Sequence, residues 1–141
     1  MRKAAALKEN GEHIPALAVL VLAVPDARSA ARFYETAFDW PVIVREPSYV
    51  EFSLPNTMRL GLYKKEGFAL HTTRAPVTIP EGALSTTELY IHVEDLDVAM
   101  TKLLTAGARQ LAPVQTKDWG DDAAYFADPF GNVIAIARPR P

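Results

Sequence analysis

The 141-residue chain contains no cysteine. That excludes disulfides, thiolate nucleophiles and Cys-ligated zinc, and it fits a reducing compartment such as the cytoplasm. There is no basic run and no basic patch interleaved with aromatics, and 15 Lys and Arg against 17 Asp and Glu leave a net charge of −2. Nucleic acid is therefore not an expected partner. No apolar stretch approaches the roughly 20 residues that span a bilayer, so a membrane is not expected either. Arg2-Lys3 ahead of Ile14 to Val24 has the outline of a signal peptide. Glu9, Glu12 and the Asn10-Gly11 pair interrupt it, however, and Pro15 and Pro25 bracket the apolar run. A strand is the better reading.

What is present is enough apolar sequence, 49% of residues, to bury the core of one domain or of two small fused modules. Residues 1–13 read as a polar lead-in. Ala16 to Val24 reads as a central strand, apolar on both faces. Pro25 ends it, Asp26 caps a helix running to about Phe38, and Phe33 and Tyr34 fall on the helix's core face. Pro41 to Arg45 is a second strand. Tyr49 to Leu54 and Met58 to Tyr63 alternate around Pro55-Asn56-Thr57, a hairpin that sets Phe52 opposite Leu60 and Ser53 opposite Arg59.

The stretch from Lys64 to Thr86 carries Gly67, Pro76, Pro80 and Gly82 without a sustained period. It reads as a long connection, with His71 and Arg74 as exposed loop residues. Glu88 to Val93 is then a strand. Asp95 caps a helix to about Ala106, ended by Gly107, with Leu96, Met100, Leu103 and Leu104 as its apolar face. Arg109 to Val114 is a strand, and Lys117 to Asp122 is a polar loop holding Trp119. The chain closes on Tyr125-Phe126-Ala127-Asp128-Pro129-Phe130-Gly131-Asn132 and the run Val133 to Ala137. This is strand, tight turn, strand: Pro129 presets the turn and Gly131-Asn132 tolerate positive φ.

Shifting the first strand–helix unit by 69 positions brings Val24 onto Val93, Asp26 onto Asp95, Ala30 onto Ala99 and Ala37 onto Ala106. Two modules of strand, helix and three strands are the economical interpretation. The aromatic-aromatic-x-Asp-Pro-x-Gly-Asn-x-Ile hairpin, Val24-Pro25-Asp26, Glu94-Asp95-Leu96 and Ala106-Gly107-Ala108 resemble the vicinal-oxygen-chelate superfamily. That group holds the glyoxalases, bleomycin-resistance proteins and extradiol dioxygenases. The resemblance spans about residues 16–137. It implies an α+β fold of two βαβββ modules whose mixed sheets curve around a cup, with helices on the outer face. The modules would cover residues 14–66 and 87–141, joined by a linker over 67–86. It also implies a homodimer.

Metal-dependent members resemble one another in four ligand positions. Carried onto this chain, these are Val19, a position near Gly61, Glu88 and Ala135. Val, Gly and Ala offer no side-chain donor, and a divalent ion needs about three protein ligands. Glu88 and His92 lie about 13 Å apart along one strand, too far to chelate one ion, so a metal would need help from Glu51 or His13. No metal and no cofactor are therefore expected.

Strand alternation from positions 19, 88 and 135 selects the expected ligand-binding residues: Tyr49, Glu51, Arg59, Tyr63, Glu88, Tyr90 and His92, with Trp119 over the mouth. Val19, Val21, Ala23, Ser53, Gly61, Val133, Ala135 and Ala137 would complete the lining. Glu51 or Glu88 would meet a cation and Arg59 an anion, unless Arg59 pairs with a carboxylate. The expected function is binding of a small aromatic or amphipathic molecule, as a protein resembling the bleomycin-resistance branch and not an enzyme. The alternative is a metal-dependent lyase, isomerase or dioxygenase of the glyoxalase type. Glu88 would be the surviving ligand in that case, and Glu88 and His92 are the candidate catalytic groups, either of them the general base of a metal-free variant.

Overall fold

The computed structural model describes residues 17–141. The lead-in of residues 1–13, with His13, and Ala16 lie outside the described residues. The elements run β1 (Ala18–Val24), α1 (Ala27–Phe38), β2 (Val42–Arg45), β3 (Tyr49–Ser53), β4 (Met58–Lys64), α2 (Lys65–Thr72), β5 (Glu88–His92), α3 (Leu96–Ala106), β6 (Arg109–Thr116), β7 (Asp121–Ala127) and β8 (Val133–Pro139). They form two compact units. Of the described residues, the first holds 17–31 and Trp40 to Pro76, and the second holds Arg32 to Asp39 and Val77 to Pro141.

Each unit carries a four-stranded mixed sheet of the same topology, β1-β4-β3-β2 in the first and β5-β8-β7-β6 in the second. In both, the strand before the helix pairs in parallel with the last strand of its module, and the remaining pairings are antiparallel. The fold is therefore α+β, built of two βαβββ modules, as the repeat implies.

In the first unit the β3–β4 hairpin has the expected register, Phe52 opposite Leu60 and Ser53 opposite Arg59. Asn56 and Thr57 take φ of 60° and 63° in its turn. The Asp26 carboxylate accepts the backbone N–H groups of Arg28 and Ser29, at 3.0 and 3.3 Å, as an N-cap does. Val50, Phe52, Leu60 and Leu62 on one face of the sheet are fully buried.

Two expectations for this unit fail. β1 stands at the end of its sheet's strand order, not in its middle: an unbroken apolar run does not say which neighbour covers it. The connection after β4 opens with a helix, α2, which buries none of its residues. A helix without a buried face leaves no 3.6-residue apolar period to read.

In the second unit α3 is capped at Asp95, whose side chain accepts the Val98 N–H, and it ends at Gly107 with φ of 107°. Ala99 and Leu103 are its buried residues, whereas Leu104, expected on the apolar face, is 48% exposed. β6 is an edge strand with Pro113 inside it and two register irregularities against β7. Both features discourage further strand pairing.

The closing turn is organised by the buried carboxylate of Asp128. Its Oδ1 accepts the N–H groups of Phe130 and Asn132, at 2.8 and 2.9 Å. Its Oδ2 accepts the Asn132 side-chain amide at 3.0 Å and the Tyr34 hydroxyl at 2.7 Å. A side chain on Gly131, at φ of 88°, would come within 2.8 Å of the Ala83 carbonyl oxygen. The turn thus demands glycine there, both for conformation and for space.

Replacing Asp128 by Ala leaves four donors without their acceptor. Asp128→Ala is expected to cost about 3 kcal/mol, read as a fall in the urea midpoint, and Tyr34→Phe to cost less.

Candidate functional site

The first unit's site lies on the face of the sheet opposite Phe52 and Leu60. There β1 presents Val19, Val21 and Ala23, β4 presents Arg59, Gly61 and Tyr63, and β3 presents Ser53, Glu51 and Tyr49, in register across the strands. Glu51 is wholly buried. Burying a carboxylate is costly unless donors replace its water, and two do. The Tyr49 hydroxyl donates to Oε1, and Arg59 Nη1 donates to Oε2 at 3.0 Å.

Gly61 lies directly opposite Glu51. A Cβ on Gly61 would collide with the Tyr49 hydroxyl and approach its ring carbons to 2.9 Å. The phenol therefore occupies the space a side chain at 61 would take, and only glycine lets it reach Glu51. The Tyr63 ring stands edge-on to Tyr49, with centroids 5.2 Å apart, and its hydroxyl lies 3.1 Å from His71 Nε2. Gly67 on α2 leaves room for the same Tyr63 ring. His71 is thus an exposed helix residue tied to Tyr63, not part of an irregular loop. Arg59 takes the pairing weighed as its alternative, and Glu51 meets Arg59 and Tyr49 where a ligand cation was expected.

The second unit's site lies on the face of the sheet that carries Glu88, Tyr90 and His92 on β5. Val133, Ala135 and Ala137 on β8 lie beside them in register, and Ala127, Tyr125 and Ala123 on β7 lie beyond. Asp121 opens β7 on this face. Its Oδ2 accepts the Tyr90 hydroxyl at 2.6 Å and lies 3.2 Å from His92 Nε2. The Trp119 indole N–H donates to the Tyr90 hydroxyl at 2.9 Å. Because β8 separates β5 from β7, the Tyr90–Asp121 bond crosses β8, from beside Ala135 to beside Pro139.

The Tyr90 bond holds the Asp121 carboxyl below the ordinary carboxylate range. Burial, then the same bond, raises the Tyr90 phenol. Tyr125 is raised by burial and by the charge of Glu88, and the Lys117 ammonium lies 5.1 Å from its ring centroid.

The structure brings Tyr90, His92 and Trp119 together in one cluster, and Tyr49, Glu51, Arg59 and Tyr63 in another. Glu88 is exposed, and it belongs to neither cluster. Asp121, the acceptor that joins the second cluster, went unnoticed in the sequence because it reads as part of a polar loop. The signal was there: it lies four residues before Tyr125, on the same face of a strand.

The equivalence of the two modules also checks the family's ligand positions. Gly61 pairs with Val21, two residues after Val19, and Ala135 pairs with Tyr90, two residues after Glu88. The residues at these positions do not fit a metal. Val19, Gly61 and Ala135 carry no donor, and among the described residues no three His, Asp or Glu side chains stand together as a metal cage needs.

Paired βαβββ modules with this topology define the class, the vicinal-oxygen-chelate superfamily. The model of the glyoxalase-like domain family matches residues 19–137, and the chain belongs to that family. It is similar to an uncharacterized protein of Mycobacterium bovis, 29% identical over 126 residues, covering 84% of this chain and 80% of that protein. Among solved structures it is similar to a glyoxalase-related enzyme from Fulvimarina pelagi, with a TM-score of 0.76, 26% identity and 86% of each chain covered. It also shares its fold with a glyoxalase/bleomycin resistance protein/dioxygenase family enzyme from Burkholderia phytofirmans. The TM-score there is 0.72 at 18% identity, covering 86% of this chain and 97% of that one.

Two measurements check this geometry. Gly61→Ala is expected to destabilise the protein by about 1–3 kcal/mol, and the penalty should largely vanish in a Tyr49→Ala background, where nothing fills the space. Tyr34 is also raised, by burial and by Asp128, so Tyr34, Tyr90 and Tyr125 should ionise late in an alkaline absorbance titration. Each contributes stability that is whole below the ordinary phenol range and is lost as pH rises through the raised folded value. Tyr90→Phe should remove one late-ionising phenol and leave the rest.

Proposed function

We propose that the chain is a metal-independent glyoxalase-like protein that binds a small aromatic or amphipathic molecule, without a resident cofactor. The observation that carries this is in the first unit. The position where metal-dependent relatives place a ligand is Gly61, its side-chain space holds the Tyr49 phenol, and the nearby carboxylate of Glu51 is committed to Tyr49 and Arg59. A metal there would have to displace two donors from a buried carboxylate and recruit further ligands.

The aromatic character of the remaining surface supports the ligand class. Tyr90 and His92 stand with ring centroids 5.8 Å apart, and Tyr90 and Trp119 6.4 Å apart. Flat apolar surface with a few placed polar groups is the usual make-up of a small-molecule site. A cytoplasmic homodimer belongs to the same reading; it rests on the composition and on the likeness to the superfamily.

Calorimetric titration of chelator-stripped protein with Zn²⁺, Ni²⁺, Mn²⁺ and Fe²⁺ should give no site of one ion per chain. One-per-chain binding abolished by Glu88→Ala would replace this proposal with the metal-dependent enzyme of the glyoxalase type.

A further inference from the structure

The hydrogen-bonding capacity of the second cluster is almost entirely turned inward. The Tyr90 hydroxyl donates to Asp121 and accepts from Trp119. Asp121 Oδ2 accepts from Tyr90 and faces His92 Nε2. The indole's one polar atom is engaged by Tyr90.

Asp121 Oδ1 has no hydrogen-bond partner among the described residues, but the Asp121 side chain is only 12% exposed; two features remain open to solvent. One is the ring of Trp119, a residue 57% exposed, with no polar group left to offer. The other is Nδ1 of His92, on a side chain 58% exposed, which has no hydrogen-bond partner among the described residues. An ionised carboxylate only accepts, and the Asp121 carboxyl is held below its ordinary range. His92 Nε2 must therefore carry the hydrogen in this contact. In the neutral imidazole that leaves a lone pair on Nδ1, an acceptor awaiting a donor.

We infer that Trp119, Tyr90, His92 and Asp121 form a recognition site for a flat aromatic compound with one hydrogen-bond donor at its edge, a ring N–H or a hydroxyl. The ligand's ring lies against the Trp119 indole, and its donor meets His92 Nδ1. Asp121 is a positioning residue: it fixes the imidazole's tautomer and orientation and does not touch the ligand. Tyr90 stands between the two contacts and sets their spacing. A compound with the same ring and no donor loses the His92 contact while keeping the stacking. The inference rests on the small-molecule reading above but uses only groups of the second unit.

The test is calorimetric titration of the whole chain with indole and with 1-methylindole, which share their ring system and differ in the N–H. Indole should bind about tenfold more tightly, the ratio an ordinary hydrogen bond gives. His92→Ala, a change at an exposed side chain, should bring the two affinities together. Trp119→Ala should weaken both compounds and keep their ratio. Asp121→Asn should lower the preference for indole, and His92→Gln should restore part of what His92→Ala removes. Equal affinity of the two compounds for the unaltered protein overturns the inference. So does a preference that survives His92→Ala, or the absence of heat with either compound. Metal binding in the separate titration overturns the metal-independent reading and leaves this comparison standing, so the two failures are distinguishable.

Discussion

The first unit is constrained by one buried carboxylate. Glu51 has no contact with solvent, so its charge must be met by protein donors, and the sheet is built to supply them. Arg59 reaches it from the neighbouring strand, and Tyr49 reaches it along its own strand. The phenol gets there only because position 61 is glycine. Removing any one partner leaves the others with unmet charge or empty space, so the four positions act as a unit. The same arrangement excludes a metal ligand at 61.

The second unit solves a similar problem with different residues. A tyrosine on the first strand of the module reaches across the last strand to a carboxylate, from beside Ala135 to beside Pro139. In the first unit the phenol lies over glycine at the position equivalent to a family ligand; in the second the phenol-bearing residue pairs with alanine at the equivalent position. The difference is exposure. Glu51 is sealed, whereas the Tyr90–Asp121 pair ends in His92 and Trp119, both open to solvent. That asymmetry is why the proposed ligand contacts lie in the second unit. Its register depends in turn on Asp128, which closes the turn ahead of β8 and so decides which β8 residues lie beside Tyr90 and His92.

Much of the fold was legible in the residues because it rests on local rules. Asp26 and Asp95 read as caps and act as caps. Pro55-Asn56-Thr57 sets a hairpin whose register follows from loop length alone, and the Asp128 to Asn132 turn carries its own conformational demands. Strand alternation from these anchors brought Tyr90 and His92 to one face. What was not legible depends on contacts distant in sequence. α2 has no buried face and hence no period, and Gly67 looks like a breaker until the Tyr63 ring is seen against it. Asp121 looks like loop until β7 is known to start there. Glu51 reads as a group open to a ligand because nothing in the pattern says that Tyr49 will lie over Gly61. Leu104 fits the apolar stripe of α3 and still faces solvent, since the stripe marks the residues available for burial and the neighbouring elements decide how many are covered.

The most direct test of the central claim is a crystal grown in Zn²⁺ and measured for anomalous scattering at the zinc edge. The expected result is the Tyr49 hydroxyl on Glu51 above Gly61, Arg59 in place, and no anomalous peak beside them. A peak bonded to Glu51, with Tyr49 swung away from Gly61 and Arg59 released, would contradict it.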